Sequence, residues 1–207
     1  MTLSSLITII KNIFIEEREQ VRGEKSIKNI TEHYENDLSH LFLDEVWIAS
    51  EYHETKDLIE DYKYHSHREY RSMLLLYYIE ILKLQKDFFS DSFPSIVPVP
   101  MHWSRYGIRG FDHVRYMAEW LSEYCDFPLS ECLTTAYRPR QSKLDRASRL
   151  ANKKNAFRMR VGFSKIPETI ILIDDVISSW ATANACAEVL KNAWAKRVIG
   201  WFIASNN

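Results

Sequence analysis

Thr169-Ile-Ile-Leu-Ile-Asp-Asp-Val-Ile-Ser-Ser-Trp-Ala-Thr182 is the stretch on which the reading of the whole chain turns. Its continuous apolar run, Ile170 to Ile173, predicts a strand buried on both faces, as in a parallel sheet. Asp174 and Asp175 fall where that strand is expected to end. A hydroxyl-rich turn follows, and then Cys186, Val189, Leu190 and Ala193 recur at helical spacing. Strand, acid pair, turn and helix in that order describe a binding crevice at the carboxyl edge of an open α/β sheet.

The chemistry of the turn suggests what such a crevice takes. Backbone N–H groups at a helix N-terminus attract an anion, and Ser178, Ser179 and Thr182 add hydroxyl donors. Two carboxylates beside such a cradle cannot welcome further negative charge, but they can accept hydrogen bonds from a sugar diol. A phosphorylated ribose satisfies both halves.

Working outward, Ser95 to Val99 reads as a buried strand closed by Pro98 and Pro100, followed by a loop from Pro100 to Gly110 that carries Arg105, Gly107 and Arg109. Arginine suits a phosphate grip because its planar fork bonds two oxygens at once. Val114 to Tyr124 predicts a helix with Met117, Ala118 and Leu121 facing inward, Phe127 to Thr134 a strand, and Arg197 to Ser205 the closing strand. Toward the N-terminus, Val46 to Tyr52 reads as a strand, Thr55 to Tyr64 and Arg68 to Phe89 as helices. Residues 3–18 form an amphipathic helix, and residues 19–40 a loop followed by a short helix. His65 and His67 read as a solvated pair rather than as metal ligands, and the other histidines lack a ligand partner at helical spacing.

Composition narrows the classes. With 46% hydrophobic and 27% charged residues in 207, the chain is globular and able to bury a sizeable core. A net charge of -1 excludes a molecule that binds nucleic acid through its overall charge. The distribution is uneven, however: residues 1–95 hold 18 acids against 11 bases, whereas Arg138 to Arg160 hold nine bases and one acid, Asp145. Cys125, Cys132 and Cys186 give neither a disulfide framework nor a zinc spacing, which suits a reducing cytoplasm. Lys11 interrupts the apolar N-terminus and no small-residue cleavage site follows, so neither a signal peptide nor a membrane span is expected.

The central stretch resembles the phosphoribosyl-pyrophosphate (PRPP) motif of type I phosphoribosyltransferases, a hydrophobic strand, Asp-Asp and Thr-Thr-Gly-x-Thr. Further segments are similar to the ComF family of competence-associated proteins within that superfamily. They are Pro98-Val-Pro100, Arg109-Gly-Phe-Asp112, and Gln141-x-x-Leu144 with Arg149, Asn152 and Phe157, all in the family's order. Asp112 stands where the family has asparagine. The resemblance covers roughly residues 46–205. It implies an α/β fold, an open mostly parallel sheet of the type I phosphoribosyltransferase kind with flanking helices and an α-rich N-terminal region. The implied division is a helical segment 1–42, an accessory, hood-like region 43–94, and a core 95–207.

The resemblance also implies an activity, transfer of the phosphoribosyl group of PRPP to an acceptor with release of pyrophosphate. Asp174 and Asp175 would be the catalytic acids, holding the ribose hydroxyls directly or through Mg²⁺. Val176, Ile177, Ser178, Ser179, Trp180, Ala181 and Thr182 would seat the 5′-phosphate. Arg105, Arg109 and Gly110 would hold pyrophosphate, and Gln141, Arg146 and Arg149 would lie on a mobile loop closing over the substrate. The same resemblance admits a homodimer and a different role, a non-catalytic DNA-uptake accessory protein that binds single-stranded DNA or a helicase partner through the basic block. A response-regulator domain also opens with Ile-Leu-Ile-Asp-Asp, but too little chain follows Asp175 to complete one. The family's cysteine-rich zinc module is not expected here, since no cysteine precedes Cys125.

Glycine is scarce, 5 residues against roughly 14 at average usage, and tryptophan is abundant at 6. Trp180 and Trp194 occupy positions where the family pattern has glycine, which tolerates positive φ and lets backbone approach a phosphate. Two explanations are open: a gene that reads UGA as glycine, so that the native residues are glycine, or genuine substitution in a non-catalytic relative.

Overall fold

The computed structural model describes residues 28–29, 41–64, 68–85, 89, 93–136, 156–163, 166–178 and 180–206. The amphipathic helix expected at residues 3–18, the His65/His67 pair, Ser179, and the loop bearing Gln141, Arg146 and Arg149 lie outside them.

The strands in chain order are β1 (Lys28–Asn29), β2 (Glu45–Glu51), β3 (Ser95–Pro98), β4 (Leu133–Thr135), β5 (Phe157–Met159), β6 (Thr169–Ile177) and β7 (Arg197–Ser205). The helices are α1 (Tyr52–Tyr64), α2 (Arg68–Gln85), α3 (Trp103–Arg109), α4 (His113–Cys125) and α5 (Trp180–Asn192). Five strands form one sheet in the order β1-β2-β7-β6-β3, with β4 and β5 paired separately. β2, β7, β6 and β3 run parallel, while β1 joins β2 antiparallel. The architecture is thus the open, mostly parallel α/β sheet with flanking helices that the sequence implies.

The strongest apolar runs take the central places because only there are both faces covered. In β6, Ile171 and Ile173 join a core that α1, α2 and α4 complete, whereas Ile170 and Leu172 join a second core under α5 and the β4–β5 pair. β7 is buried along nearly its whole length, with Trp201 and Phe202 fully enclosed. Trp201 donates its indole N–H to Gln85 at 2.8 Å, so the one polar atom of that large ring is satisfied inside the core. Pro98 is tolerated because β3 is the edge strand.

Several boundaries depart from the sequence reading. β6 does not end at the acid pair but runs through it to Ile177, because its pairing with β7 continues to Ser205. The expected loop 100–110 contains a helix, α3, whose first turn closes through Arg105 and Tyr106 N–H groups donating to His102 O. Of the strand expected at 127–134 only Leu133 and Thr134 belong to β4; residues 128–130 instead bond along the edge of β3. Lys28–Asn29 forms a strand inside the stretch read as loop and helix. The described residues of α2 run to Gln85, with 86–88 outside them, and α1 starts three residues early, at Tyr52.

Candidate functional site

The carboxyl ends of β3 and β6, the N-terminus of α5 and helices α1, α3 and α4 surround a crevice of about 640 Å³. This is the edge at which open α/β sheets bind ligands. Asp174, Asp175, Val176, Ile177, Ser178 and Thr182 line it, as do Arg105 and Arg109. Eight of the residues singled out in the sequence therefore meet in one cavity.

Strand alternation sends the two acids to opposite faces of β6. Asp175 is 5% exposed and points to the face covered by α1 and α4. There its Oδ2 meets Lys63 Nζ of α1 at 2.6 Å and His113 Nε2 of α4 at 2.8 Å, while Oδ1 accepts the Val176 N–H at 2.7 Å. Burial alone would raise the Asp175 pKa, but His113 and Lys63 outweigh it and hold the carboxyl well below the usual range. Asp174 is half-buried, and its Oδ1 accepts the Asp175 N–H at 2.9 Å. Burial, reinforced by the charge of Asp175, pushes its pKa up to about 8. Tyr78, fully buried in α2, donates its hydroxyl to Asp174 O at 2.7 Å and fixes the backbone there.

Lys63 and His113 are the residues that sequence reasoning missed. His113, the first residue of α4, has Arg109 Nη1 of α3 at 3.3 Å from its Nδ1. Its decisive partner, Asp175, is 62 residues away, beyond the reach of any local pattern. Lys63 stands in the Lys-Tyr ending of α1, within a Tyr…Leu-Ile…Lys-Tyr pattern similar to the ComF N-terminal region, but a basic residue in the last turn already suits the helix dipole and does not by itself point to the acid pair.

The basic wall comes from α3. Arg105 is exposed toward the crevice, and Arg109 also stacks over the Tyr64 ring, 5.3 Å from its centroid. Gly110 does not line the cavity, and its N–H donates to Tyr106 O at 2.8 Å. Its φ of +75° ends α3 and turns the chain toward α4, a conformation suited to glycine. Asp112 caps α4 by accepting the Arg115 N–H at 3.1 Å, so the aspartate keeps the capping hydrogen bond an asparagine would make.

The two tryptophans separate. Trp194 lies in the left-handed region at φ +77° and is 87% exposed. Its N–H bonds Lys191 O and the Ala195 N–H bonds Leu190 O, a helix ending that normally uses glycine. Trp180, the first residue of α5, has no positive φ. Its ring packs on the core beneath α5, while Ser178, Thr182 and Ala183 line the crevice. The φ argument for glycine thus holds at 194 and not at 180.

The acid pair is a poor direct seat for Mg²⁺. That ion demands near-octahedral oxygen ligands, and the Asp175 oxygen nearest the crevice cations is already shared by an ammonium and an imidazole. Among the described residues no group of three or more His, Cys, Asp or Glu side chains is placed to hold a metal. Nor is any described helix long and apolar enough to cross a membrane.

An open α/β sheet with an acid pair and a helix N-terminus at one crevice defines the class. No protein-family profile matches the chain. Two curated relatives do: Competence protein ComFC of Streptococcus pneumoniae, 30% identical over 143 residues, covers 69% of this chain and is itself covered over 60%. Competence protein F of Haemophilus influenzae is 27% identical over 113 residues, 53% of this chain and 49% of that protein. The chain belongs to the ComF family. It spans about half to three fifths of the length of these two relatives.

Proposed function

We propose that the crevice binds PRPP and that the protein is a phosphoribosyltransferase-like member of its family. The observation that carries this reading is the convergence of acid pair, helix N-terminus and α3 arginines in one cavity. Asp174 offers its unbonded oxygen to a ribose hydroxyl. Asp175 has lone pairs left on Oδ1 beyond the one that takes the Val176 N–H. The turn at Ser178 and the first turn of α5, with the Thr182 hydroxyl, face the 5′-phosphate. Arg105 and Arg109 face the pyrophosphate. In transfer, the bond from the anomeric carbon to pyrophosphate breaks and its electron pair leaves with pyrophosphate. A bond to the acceptor's nucleophilic atom forms, and that atom gives up its proton. The protein's share is positioning and fixed charge.

Calorimetric titration with PRPP tests the reading. Asp175→Asn is expected to weaken binding about tenfold or more, as loss of a charge-assisted hydrogen bond of about 1.5–3 kcal/mol implies. Unchanged affinity in that variant would count against the assignment.

A second reading is favoured by the relatives' designation as competence proteins and by the basic block at 138–160. In it the protein keeps the fold without catalysis and binds single-stranded DNA or a helicase partner during DNA uptake. Its signature is affinity for single-stranded DNA that falls steeply with salt, with no pyrophosphate released from PRPP.

A further inference from the structure

We propose that Lys63 occupies the place of a divalent cation beside the acid pair, so that a sugar phosphate binds this crevice without a metal ligated by Asp174 or Asp175. The inference rests on the sugar-phosphate reading above and concerns how the negative charge of that site is balanced.

Three observations carry it. Lys63 Nζ sits 2.6 Å from Asp175 Oδ2, its side chain is 13% exposed, and it lines the crevice rather than the outer surface. The ammonium reaches the acid from α1, which follows β2 with no intervening loop, so its position is set by two regular elements. His113, 4% exposed, takes the same oxygen from α4 at 2.8 Å and is itself braced by Arg109 at 3.3 Å. A small, fixed positive charge thus already occupies the carboxylate oxygen that a divalent ion at Asp175 would have to share. Lysine serves this end as a compact point charge with three N–H donors, able to bond a carboxylate and ligand oxygens together. A divalent ion at the same oxygen would meet the ammonium within contact distance, and the two would repel each other.

Two readouts test this on the whole chain. The first is calorimetry with ribose 5-phosphate, which lacks the diphosphate that could bring its own metal, in EDTA and in millimolar Mg²⁺. The wild type is expected to bind equally in both. Lys63→Met is expected to lose about tenfold or more in EDTA and to recover in Mg²⁺, while Lys63→Arg stays metal-independent. The second is Mn²⁺ uptake followed by electron paramagnetic resonance. Lys63→Met gains a bound Mn²⁺ that the wild type lacks, and thermal unfolding confirms that each variant is folded. Wild-type binding of ribose 5-phosphate that requires Mg²⁺, or wild-type Mn²⁺ uptake equal to that of Lys63→Met, would overturn the inference. Absence of ribose 5-phosphate binding by the wild type in both buffers overturns the sugar-phosphate reading instead, and the Mn²⁺ arm then decides the cation-site claim by itself. If Lys63→Met does not fold, Lys63→Arg in the first readout and wild-type Mn²⁺ uptake in the second remain decisive.

Discussion

Burial and the adjacent negative charge keep Asp174 protonated to higher pH, while Lys63 and His113 keep Asp175 ionised. The two neighbours therefore answer the same substitution differently. Asp175→Asn leaves the Lys63 ammonium buried without its counter-charge and is expected to cost about 3–5 kcal/mol in urea unfolding at neutral pH. Asp174→Asn replaces a carboxyl that is largely neutral at that pH, and is expected to cost far less. Because the folded pKa of Asp174 is raised to about 8, the native state holds a proton that the unfolded chain releases at lower pH. Stability from this group is therefore present at low pH and falls as pH rises from the ordinary carboxylate range to about 8. In Asp174→Asn that decline is expected to vanish, and an identical pH–stability curve for variant and wild type would refute the burial argument. At the end of α5, Trp194 holds a conformation that costs a β-carbon residue about 1 kcal/mol or more. Trp194→Gly is expected to raise the melting temperature by roughly 2–4 °C. Mass spectrometry of the protein from its native host settles whether glycine is already there; tryptophan at both 180 and 194 would end the recoding explanation.

Elements whose pattern is strong and local were legible from the chain. β7 and α4 fell within a residue of their expected ends, because an unbroken apolar run and a clear helical stripe each leave little choice. α3 was not legible, since Arg105, Gly107 and Arg109 resemble loop chemistry and its helix is set by His102 O and by the stop at Gly110. The acid pair and the hydroxyl-bearing turn after it line one crevice, as the chain order implies, but the placement of the pair within β6 depends on how far β7 continues beside it. Lys63 and His113 could not be found at all, because each is defined by a contact between elements rather than by its own segment. Two substitutions probe element-level packing. In β7 a Cβ on Gly200 would stand 2.6 Å from the Phe202 ring, so Gly200→Ala is expected to destabilise by about 1–3 kcal/mol in denaturant titration. Asp112→Ala removes the α4 cap and is expected to cost about 1 kcal/mol, with Asp112→Asn nearly neutral.

At the scale of the molecule, helices on both faces of one sheet present its carboxyl edge as a single cavity, with anion-attracting groups on two sides and acids between them. A ligand that binds only this assembled state protects it from unfolding. PRPP at a hundredfold excess over its dissociation constant is therefore expected to add about 2.7 kcal/mol to stability. A melting temperature unmoved by saturating PRPP would refute the proposed ligand. The sheet also joins distant parts of the chain: β2 pairs in parallel with β7, and the Arg197–Glu45 ion pair between them spans 152 residues. During synthesis, then, β2 emerges long before its partner strand exists. Until the ribosome has delivered β7, the nascent chain carries an apolar ribbon with open hydrogen-bonding edges. The sheet therefore closes only once β7 has been delivered, and pairing between exposed edges competes with folding until then.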